Sequence, residues 1–102
     1  MSYRIRVSPR AAVQIRTAAR WWAENRPKAP LAFAEEIEKG YALTRQFPSA
    51  GEPVAHASLP GIRRVLLNRI HYHLYYSVSP ASLTVEILAL WHTRRGSLPR
   101  LG

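Results

Sequence analysis

The chain has 102 residues and no cysteine, and its 15 lysines and arginines outnumber its 6 glutamates to give a net charge of +9. This length suits one domain with its own core, and the missing cysteines exclude disulfides and thiolate metal sites. Since no stretch reaches the roughly 20 apolar residues of a membrane span, we expect a single cytoplasmic domain over residues 1–102 that binds no membrane. The charge indicates an anionic partner, either nucleic acid or an acidic protein segment, unless it reflects only an arginine-rich proteome.

The first quarter of the sequence predicts a short strand followed by a helix. Residues 3–7 alternate apolar side chains with arginines, the pattern of a half-buried strand. Ser8 is suited to the N-cap of a helix and Pro9 to its first turn, and this helix is predicted to end near Asn25. Its apolar residues recur at helical spacing and predict one buried stripe: Ala11, Ile15, Ala18 and Trp22.

A second helix is predicted from about Pro30 to Phe47. Its glutamates come early and its basic residues late, the order that the helix dipole favours. The link between the two helices is short, which predicts an αα-hairpin. One stripe is expected to be buried, with two phenylalanines on its flank: Leu31, Ala34, Ile37, Tyr41 and Thr44, flanked by Phe33 and Phe47. Residues 48–53 are then expected to break the helix and return the chain to a sheet.

Residues 61–91 predict three consecutive antiparallel strands, joined by turns at Asn68-Arg69 and at Ser79-Pro80-Ala81-Ser82. In the middle strand every second residue belongs to an apolar face: Ile70, Tyr72, Leu74, Tyr76 and Val78. The residues between them belong to a wetter face: His71, His73, Tyr75 and Ser77. Five residues are expected to be buried together under the helices: Tyr72, Leu74, Tyr76, Ile87 and Ile15. The prediction is an α+β fold of order β-α-α-β-β-β, with the αα-hairpin packed on one face of a small, mostly antiparallel sheet.

Residues suited to catalysis or metal binding are sparse. His71 and His73 lack an obvious third ligand, so we interpret them as strand-face histidines and predict neither a metal nor a cofactor. Beyond Trp91, from about residue 92, a basic tail shows no core-forming pattern and is expected to be mobile. Cationic residues interleave with tyrosines and could grip phosphates or simply keep the surface soluble: Arg63, Arg64, Arg69, His71, His73, His92, Arg94 and Arg95. For Arg94 and Arg95 we favour a functional role.

Five short motifs follow one another in order along the chain: Ser8-Pro9-Arg10-Ala11, Phe47-Pro48 with Gly51, Gly61-Ile62-Arg63, Tyr72-His73-Leu74-Tyr75-Tyr76 and His92-Thr93-Arg94-Arg95. Together they resemble the RelE/ParE superfamily of toxins from type II toxin–antitoxin modules, the plasmid-stabilisation proteins. The aromatic strand and the His-Thr-Arg-Arg ending resemble the ParE branch more closely than the RelE branch. The superfamily would also have the β-α-α-β-β-β order.

The resemblance implies a ParE-like inhibitor of DNA gyrase that a cognate acidic, ParD-like antitoxin neutralises in a hetero-oligomer. Two alternatives stay open: a RelE-like ribosome-dependent mRNA interferase, and a toxin-like protein that only binds its antitoxin. Whether the chain is an enzyme is therefore open, and no catalytic residue is carried over. The resemblance places target contacts at Arg63, His92, Arg94 and Arg95. Aromatic residues are the expected antitoxin anchors: Trp21, Phe33 and Tyr41. A place in the core is the alternative for each of them, and Trp22 is assigned to the core.

Overall fold

A computed structural model describes residues 2–56 and 59–101. Its elements follow in the order β1 (Arg4–Val7), α1 (Pro9–Asn25), α2 (Ala32–Gln46), β2 (Glu52–Pro53), β3 (Arg63–Leu67), β4 (Tyr72–Ser79) and β5 (Thr84–His92). The strands form one sheet in the order β1-β5-β4-β3-β2. Strands β2 to β5 pair antiparallel, whereas β1 lies parallel to β5. The predicted α+β fold is confirmed. No helix in these ranges is long and apolar enough to cross a membrane.

Helix α1 begins as its sequence predicts. The Ala11 backbone N–H donates to the Ser8 side-chain oxygen at 3.1 Å, so Ser8 is the N-cap. The predicted stripe is also confirmed, because Ala11, Ala18 and Trp22 are buried and Ile15 is half-buried against the same cluster. The Trp22 indole N–H donates to the Ala29 carbonyl at 2.8 Å and ties the helix end to the following link.

Helix α2 is turned about its axis relative to the prediction. The exposed fractions of Leu31 and Phe47 are 66% and 61%, and Ala34 is also exposed, so this part of the predicted stripe is wrong. The helix instead buries the face that carries Gly40: Ala32, Phe33, Glu36, Ile37, Gly40 and Thr44. A Cβ atom at Gly40 would lie 3.0 Å from a methyl carbon of Leu67, so the missing side chain lets the sheet approach the helix here. The prediction placed the buried face by the spacing of apolar side chains, and a glycine has no side chain to indicate that it is buried.

One face of the sheet packs against both helices. Leu74, Tyr76 and Ile87 are buried in the cluster that holds the helix residues, and Tyr72 and Ile15 pack against it half-buried. The predicted strand phase is therefore confirmed. The turns differ, because β4 begins only at Tyr72 after a loop at 68–71, where His71 has φ of 63°. The second turn extends through Leu83, with φ of 50°, which the sequence had assigned to a strand.

The outer face of the sheet, away from the helices, has a second small core. Ile62, Tyr75, Ala89 and Leu101 are buried together there. The assignment of Tyr75 to a wet face is wrong, since the exposed fraction of this residue is 1%. The expectation of a mobile tail is also wrong for the C-terminal segment (residues 93–101). This segment folds back until Leu101 is buried, because the apolar residues of the outer face need a cover.

A short edge strand escaped the sequence analysis. Glu52 and Pro53 form β2 and pair with Arg64 and Arg63 of β3, where the sequence predicted only a return segment. The loop before β2 is fixed by Tyr76, whose hydroxyl donates to the Pro48 carbonyl at 2.7 Å and accepts from the Gly51 N–H at 2.9 Å. The edge strand is thereby held against β3, and Glu52 lies directly beside Arg64.

Candidate functional site

His92 lies at the end of β5, directly opposite Tyr72 of β4. Its ring packs edge-on against the Tyr72 ring with the centroids 5.0 Å apart. The Nδ1 atom of His92 accepts a hydrogen bond from the Arg94 backbone N–H at 3.1 Å. Burial lowers the pKa of His92, and the neighbouring charges of Arg94, His71 and Arg95 lower it further. The imidazole is therefore neutral near pH 7 and works here as a hydrogen-bond acceptor that shapes the turn.

Arg94 and Arg95 follow on a hydrogen-bonded turn. The Thr93 N–H donates to the His71 carbonyl at 3.0 Å, and the Arg95 N–H donates to the His92 carbonyl at 3.1 Å. The Arg95 guanidinium carbon lies 4.1 Å from the centroid of the Trp91 ring, a cation–π contact. The Arg94 side chain is exposed, and its guanidinium forms no hydrogen bond within the described ranges. We call His92, Arg94 and Arg95 the β5 terminus. Hydrogen bonds hold its backbone and the Trp91 ring contacts the Arg95 guanidinium, whereas the Arg94 guanidinium is exposed.

Arg63 is separated from the β5 terminus. It pairs with Tyr76, whereas His92 pairs with Tyr72, so two strand spacings and four residues lie between Arg63 and His92. At about 4.8 Å per strand and about 3.4 Å per residue, their Cα atoms are about 17 Å apart. The Arg63 guanidinium donates to the carbonyls of Gly51 at 2.6 Å and of Ser49 at 3.3 Å. Arg63 therefore supports the loop before β2 and does not share a patch with the other three residues.

The aromatic residues expected to anchor an antitoxin differ in exposure. Trp21 has an exposed fraction of 46%, and Tyr41 is half-buried. Phe33 has an exposed fraction of 5% and packs between Trp22 and Tyr72, with ring centroids 6.5 and 6.3 Å away. Phe33 therefore belongs to the core, the alternative that the sequence left open for it, and a partner cannot reach it without opening the core. The assignment of Trp22 to the core is confirmed.

The sequence analysis missed a cluster of polar groups near the sheet edge. Arg64 donates to a carboxylate oxygen of Glu52 at 2.5 Å and to the Tyr75 hydroxyl at 3.0 Å. The His73 ring lies 6.2 Å from that of Tyr75. We call these four residues the Glu52 cluster. Glu52 reaches this position through the pairing of β2 with β3. The sequence gave no signal of that pairing, because β2 has only two residues and these belong to no periodic pattern.

Charges within the Glu52 cluster shift the pKa values of its members. The hydrogen bond from Arg64 lowers the pKa of Glu52, so this carboxylate stays ionised. Burial and then the charge of Arg64 lower the pKa of His73, although Glu52 partly opposes them. An ionised carboxylate, a neutral imidazole and a guanidinium are the groups that a phosphodiester cleavage would use. Across residues 2–56 and 59–101, no three His, Cys, Asp or Glu residues are grouped to hold a metal ion.

The sequence pattern decides the family. The family described as "ParE toxin of type II toxin-antitoxin system, parDE" matches residues 5–96. The chain belongs to this ParE toxin family. The match takes in both helices, the whole sheet and the β5 terminus. As a ParE-family chain it is the toxin of a type II toxin–antitoxin system within the wider RelE/ParE superfamily, whose members form complexes with antitoxins. No curated protein matches it.

Solved structures of related toxins share the fold of this ParE-family chain. The chromosomal ParDE system of P. aeruginosa is 16% identical, with a TM-score of 0.70 over 91% of this chain and 98% of that one. The RelBE2 toxin–antitoxin complex of Mycobacterium tuberculosis is 22% identical, with a TM-score of 0.63 over 90% and 99%. The YoeB/ParE toxin of Agrobacterium tumefaciens is 14% identical, with a TM-score of 0.60 over 87% and 96%. At these identities the likeness concerns the fold alone.

Proposed function

We propose that this ParE-family toxin inhibits DNA gyrase by binding it through the β5 terminus. The observation that carries the proposal is the exposed Arg94 beside Arg95 on a turn that His92 holds in place. The Trp91 ring holds Arg95, which therefore loses little conformational freedom on binding an acidic or phosphate-bearing surface. Arg94 has no side-chain hydrogen bond to give up within residues 2–56 and 59–101. His92 supports binding better than catalysis, since no carboxylate of the described chain is hydrogen-bonded to it and its pKa is lowered among cations.

A charge reversal with a matched control tests this proposal. The double variant Arg94→Glu/Arg95→Glu should lose both growth arrest on induction and inhibition of DNA supercoiling by purified gyrase. The control is Arg16→Glu/Arg20→Glu, which makes the same change of charge on the exposed face of α1 and should keep both activities. The fold should survive in each case, because an exposed substitution usually costs under about 0.5 kcal/mol and the lost cation–π contact about 0.5–1 kcal/mol.

Two results would refute the gyrase proposal. In the first, the wild-type chain leaves supercoiling unaffected at concentrations that saturate its antitoxin. In the second, induced cells lose mRNA before any DNA damage is detected. Equal loss of activity in the reversed variant and in the control would refute the assignment to the β5 terminus, because the effect would then follow net charge alone.

The Glu52 cluster supports a second candidate function, that of a ribosome-dependent mRNA interferase. In this reading Glu52 takes the proton of the attacking 2′-hydroxyl as its oxygen bonds to phosphorus, and Arg64 steadies the phosphorane. The protonated form of His73 then donates a proton to the 5′-oxygen as the P–O bond breaks. Glu52→Gln should then lower mRNA cleavage by about 10²–10⁴-fold, whereas His92→Gln should change it little. The measurement is cleavage of a defined mRNA on purified ribosomes. Cleavage that is lost in Glu52→Gln would replace the gyrase proposal.

We also propose that a cognate acidic, ParD-like antitoxin binds the exposed aromatic residues of the helices. Trp21 is the strongest candidate anchor, because it is exposed and Arg26 lies over its ring at 5.1 Å. Tyr41 is half-buried and can contribute its outer edge. Trp21→Ala should weaken binding of the product of the neighbouring gene by at least about 2 kcal/mol, the threshold for a hot spot, whereas Val13→Ala should have little effect. Raising the salt concentration should slow association more than it speeds dissociation.

A further inference from the structure

The outer face of the sheet is divided into two halves of different chemistry. The half around Tyr75 is apolar and is covered by the C-terminal segment. The other half, over β1 and the adjoining ends of β4 and β5, contains a cleft of about 510 Å³ that no described residue fills. We call it the β1 cleft. Its polar lining consists mainly of two arginines, hydroxyl groups and one carboxylate: Arg4, Arg6, Ser77, Ser79, Thr84 and Glu86.

The register of three strands builds this lining in two rows. Arg4 lies beside Thr84, and Thr84 lies beside Ser79. In the second row Arg6 lies beside Glu86, which in turn lies beside Ser77. Because residues two apart on a strand project from the same face, both guanidiniums rise from the outer face, with their Cα atoms about 6.8 Å apart. The parallel placement of β1 against β5, which the sequence did not reveal, brings the arginines to the hydroxyl groups.

The two guanidiniums are weakly engaged within the protein. Arg6 lies 3.6 Å from the Glu86 carboxylate, and its side chain has an exposed fraction of 74%. Arg4 makes one long hydrogen bond, at 3.4 Å, to the Ser82 carbonyl. An exposed ion pair contributes little stability, so both arginines can turn to an anion at small cost. Glu86 is the one acidic group of the lining, and it competes with any anion for Arg6.

The composition of the β1 cleft indicates the class of its ligand. A protein segment would find few apolar side chains to bury there, because Ile5 is the sole apolar residue of the lining, whereas the centre of a protein interface is apolar. Protein–nucleic acid interfaces are polar and positively charged, and their phosphate contacts come mainly from arginine, lysine and hydroxyl side chains. The volume matches a ligand pocket and is too small to take in a duplex.

We propose that the β1 cleft binds the phosphate backbone of a single nucleic-acid strand. Arg4 and Arg6 contact successive phosphates, and the hydroxyls of Ser77 and Ser79 donate to the phosphate oxygens between them. This site is distinct from both the β5 terminus and the Glu52 cluster. It goes beyond the proposed inhibition of gyrase, and it stands whether the toxin acts on gyrase or on the ribosome.

Fluorescence anisotropy of a labelled oligothymidylate with the full chain tests the site, over about 50 to 200 mM salt. Arg4→Gln/Arg6→Gln should raise the Kd about a hundredfold, since each of the two lost charge-assisted contacts is worth about a factor of ten. It should also reduce the slope of log K against log salt by about 1.4, or about 0.7 for each phosphate contact of a single strand. Glu86→Gln should lower the Kd, because it frees Arg6. The matched control Arg16→Gln/Arg20→Gln should stay within about twofold, since screening weakens distant charges.

Each of the other outcomes overturns the proposal. An equal effect of Arg4→Gln/Arg6→Gln and of the control would show that only net charge matters. If binding of a labelled polyglutamate peptide depends on Arg4 and Arg6 and binding of the oligothymidylate does not, the cleft binds an acidic polypeptide instead. A duplex that binds more tightly than the single strand would contradict the cleft geometry. Thermal unfolding checks that each variant is folded. If Arg4→Gln/Arg6→Gln does not fold, unchanged or weaker binding of the oligothymidylate by Glu86→Gln refutes the proposal by itself.

Discussion

The Tyr76 hydroxyl is the buried polar group whose removal should be felt most strongly. It donates to the Pro48 carbonyl at 2.7 Å and accepts from the Gly51 N–H at 2.9 Å, in a side chain with no solvent exposure. Tyr76→Phe keeps the ring and removes only this bridge. The buried Gly51 N–H then loses its partner, which costs about 1–3 kcal/mol, whereas the Pro48 carbonyl is only partly buried and can bind water.

We therefore expect Tyr76→Phe to lower the free energy of unfolding by about 2 kcal/mol. For a domain of this size, about 4–8 °C of Tm accompanies each kcal/mol, so the Tm should fall by about 8–16 °C. Tyr41→Phe is the matched control, because Tyr41 is half-buried and its hydroxyl makes no hydrogen bond in the described part of the chain. It should change the free energy of unfolding by less than about 0.5 kcal/mol.

Urea unfolding followed by circular dichroism measures both variants. The dependence on urea should stay the same as in the wild type, since neither change alters the surface exposed on unfolding. If Tyr76→Phe is no less stable than Tyr41→Phe, the bridge does not hold the loop before β2, and the account of how Glu52 is placed beside Arg64 is refuted.

Two further predictions concern stability. Leu101→Ala should lower the free energy of unfolding by about 2 kcal/mol, the low end for a buried leucine, because the residue lies near the chain end. The control Leu98→Ala alters an exposed side chain and should cost little. Equal losses in urea unfolding would contradict the packing of the C-terminal segment. Burial lowers the pKa of both His73 and His92, so below about pH 6.5 the unfolded chain binds more protons than the folded one. The free energy of unfolding should therefore decrease as the pH is lowered below about 6.5. His73→Gln/His92→Gln should flatten that fall below about pH 6.5, and an unchanged slope in pH-dependent unfolding would contradict the prediction.

The spacing of apolar residues predicts a helix or strand well where the buried face is apolar and the exposed face is polar. Helix α1 has small or aromatic residues on one side and arginines on the other, and its cap and buried stripe were predicted correctly. Helix α2 departs from this pattern because it buries Gly40 and Glu36. The Glu36 carboxylate accepts the Arg69 backbone N–H at 3.2 Å and lies 3.6 Å from the Lys39 ammonium, so its burial is compensated by partners far along the chain or beside it. A single helix sequence does not reveal such compensation.

The candidate sites were harder to predict because they depend on pairings between distant segments. The motif that ends in Arg94 and Arg95 is continuous in sequence, and it led directly to the β5 terminus. Glu52 reaches Arg64 only through a strand of two residues, and Arg6 reaches Glu86 only through a parallel pairing across the length of the chain. Such contacts are set by the closing of the whole sheet, and no local pattern of residues encodes them.

The contacts of the arginines favour target binding over catalysis as the task of this toxin. Arg64 forms hydrogen bonds with Glu52 and Tyr75, and it would have to give up these contacts to stabilise a phosphorane. Arg94 makes no side-chain hydrogen bond within residues 2–56 and 59–101, so binding a partner replaces only water at its guanidinium. An anionic target therefore gains more from Arg94 than from Arg64. For the nuclease alternative to hold, substrate binding must first separate Arg64 from Glu52, which would leave that carboxylate free to act as the base.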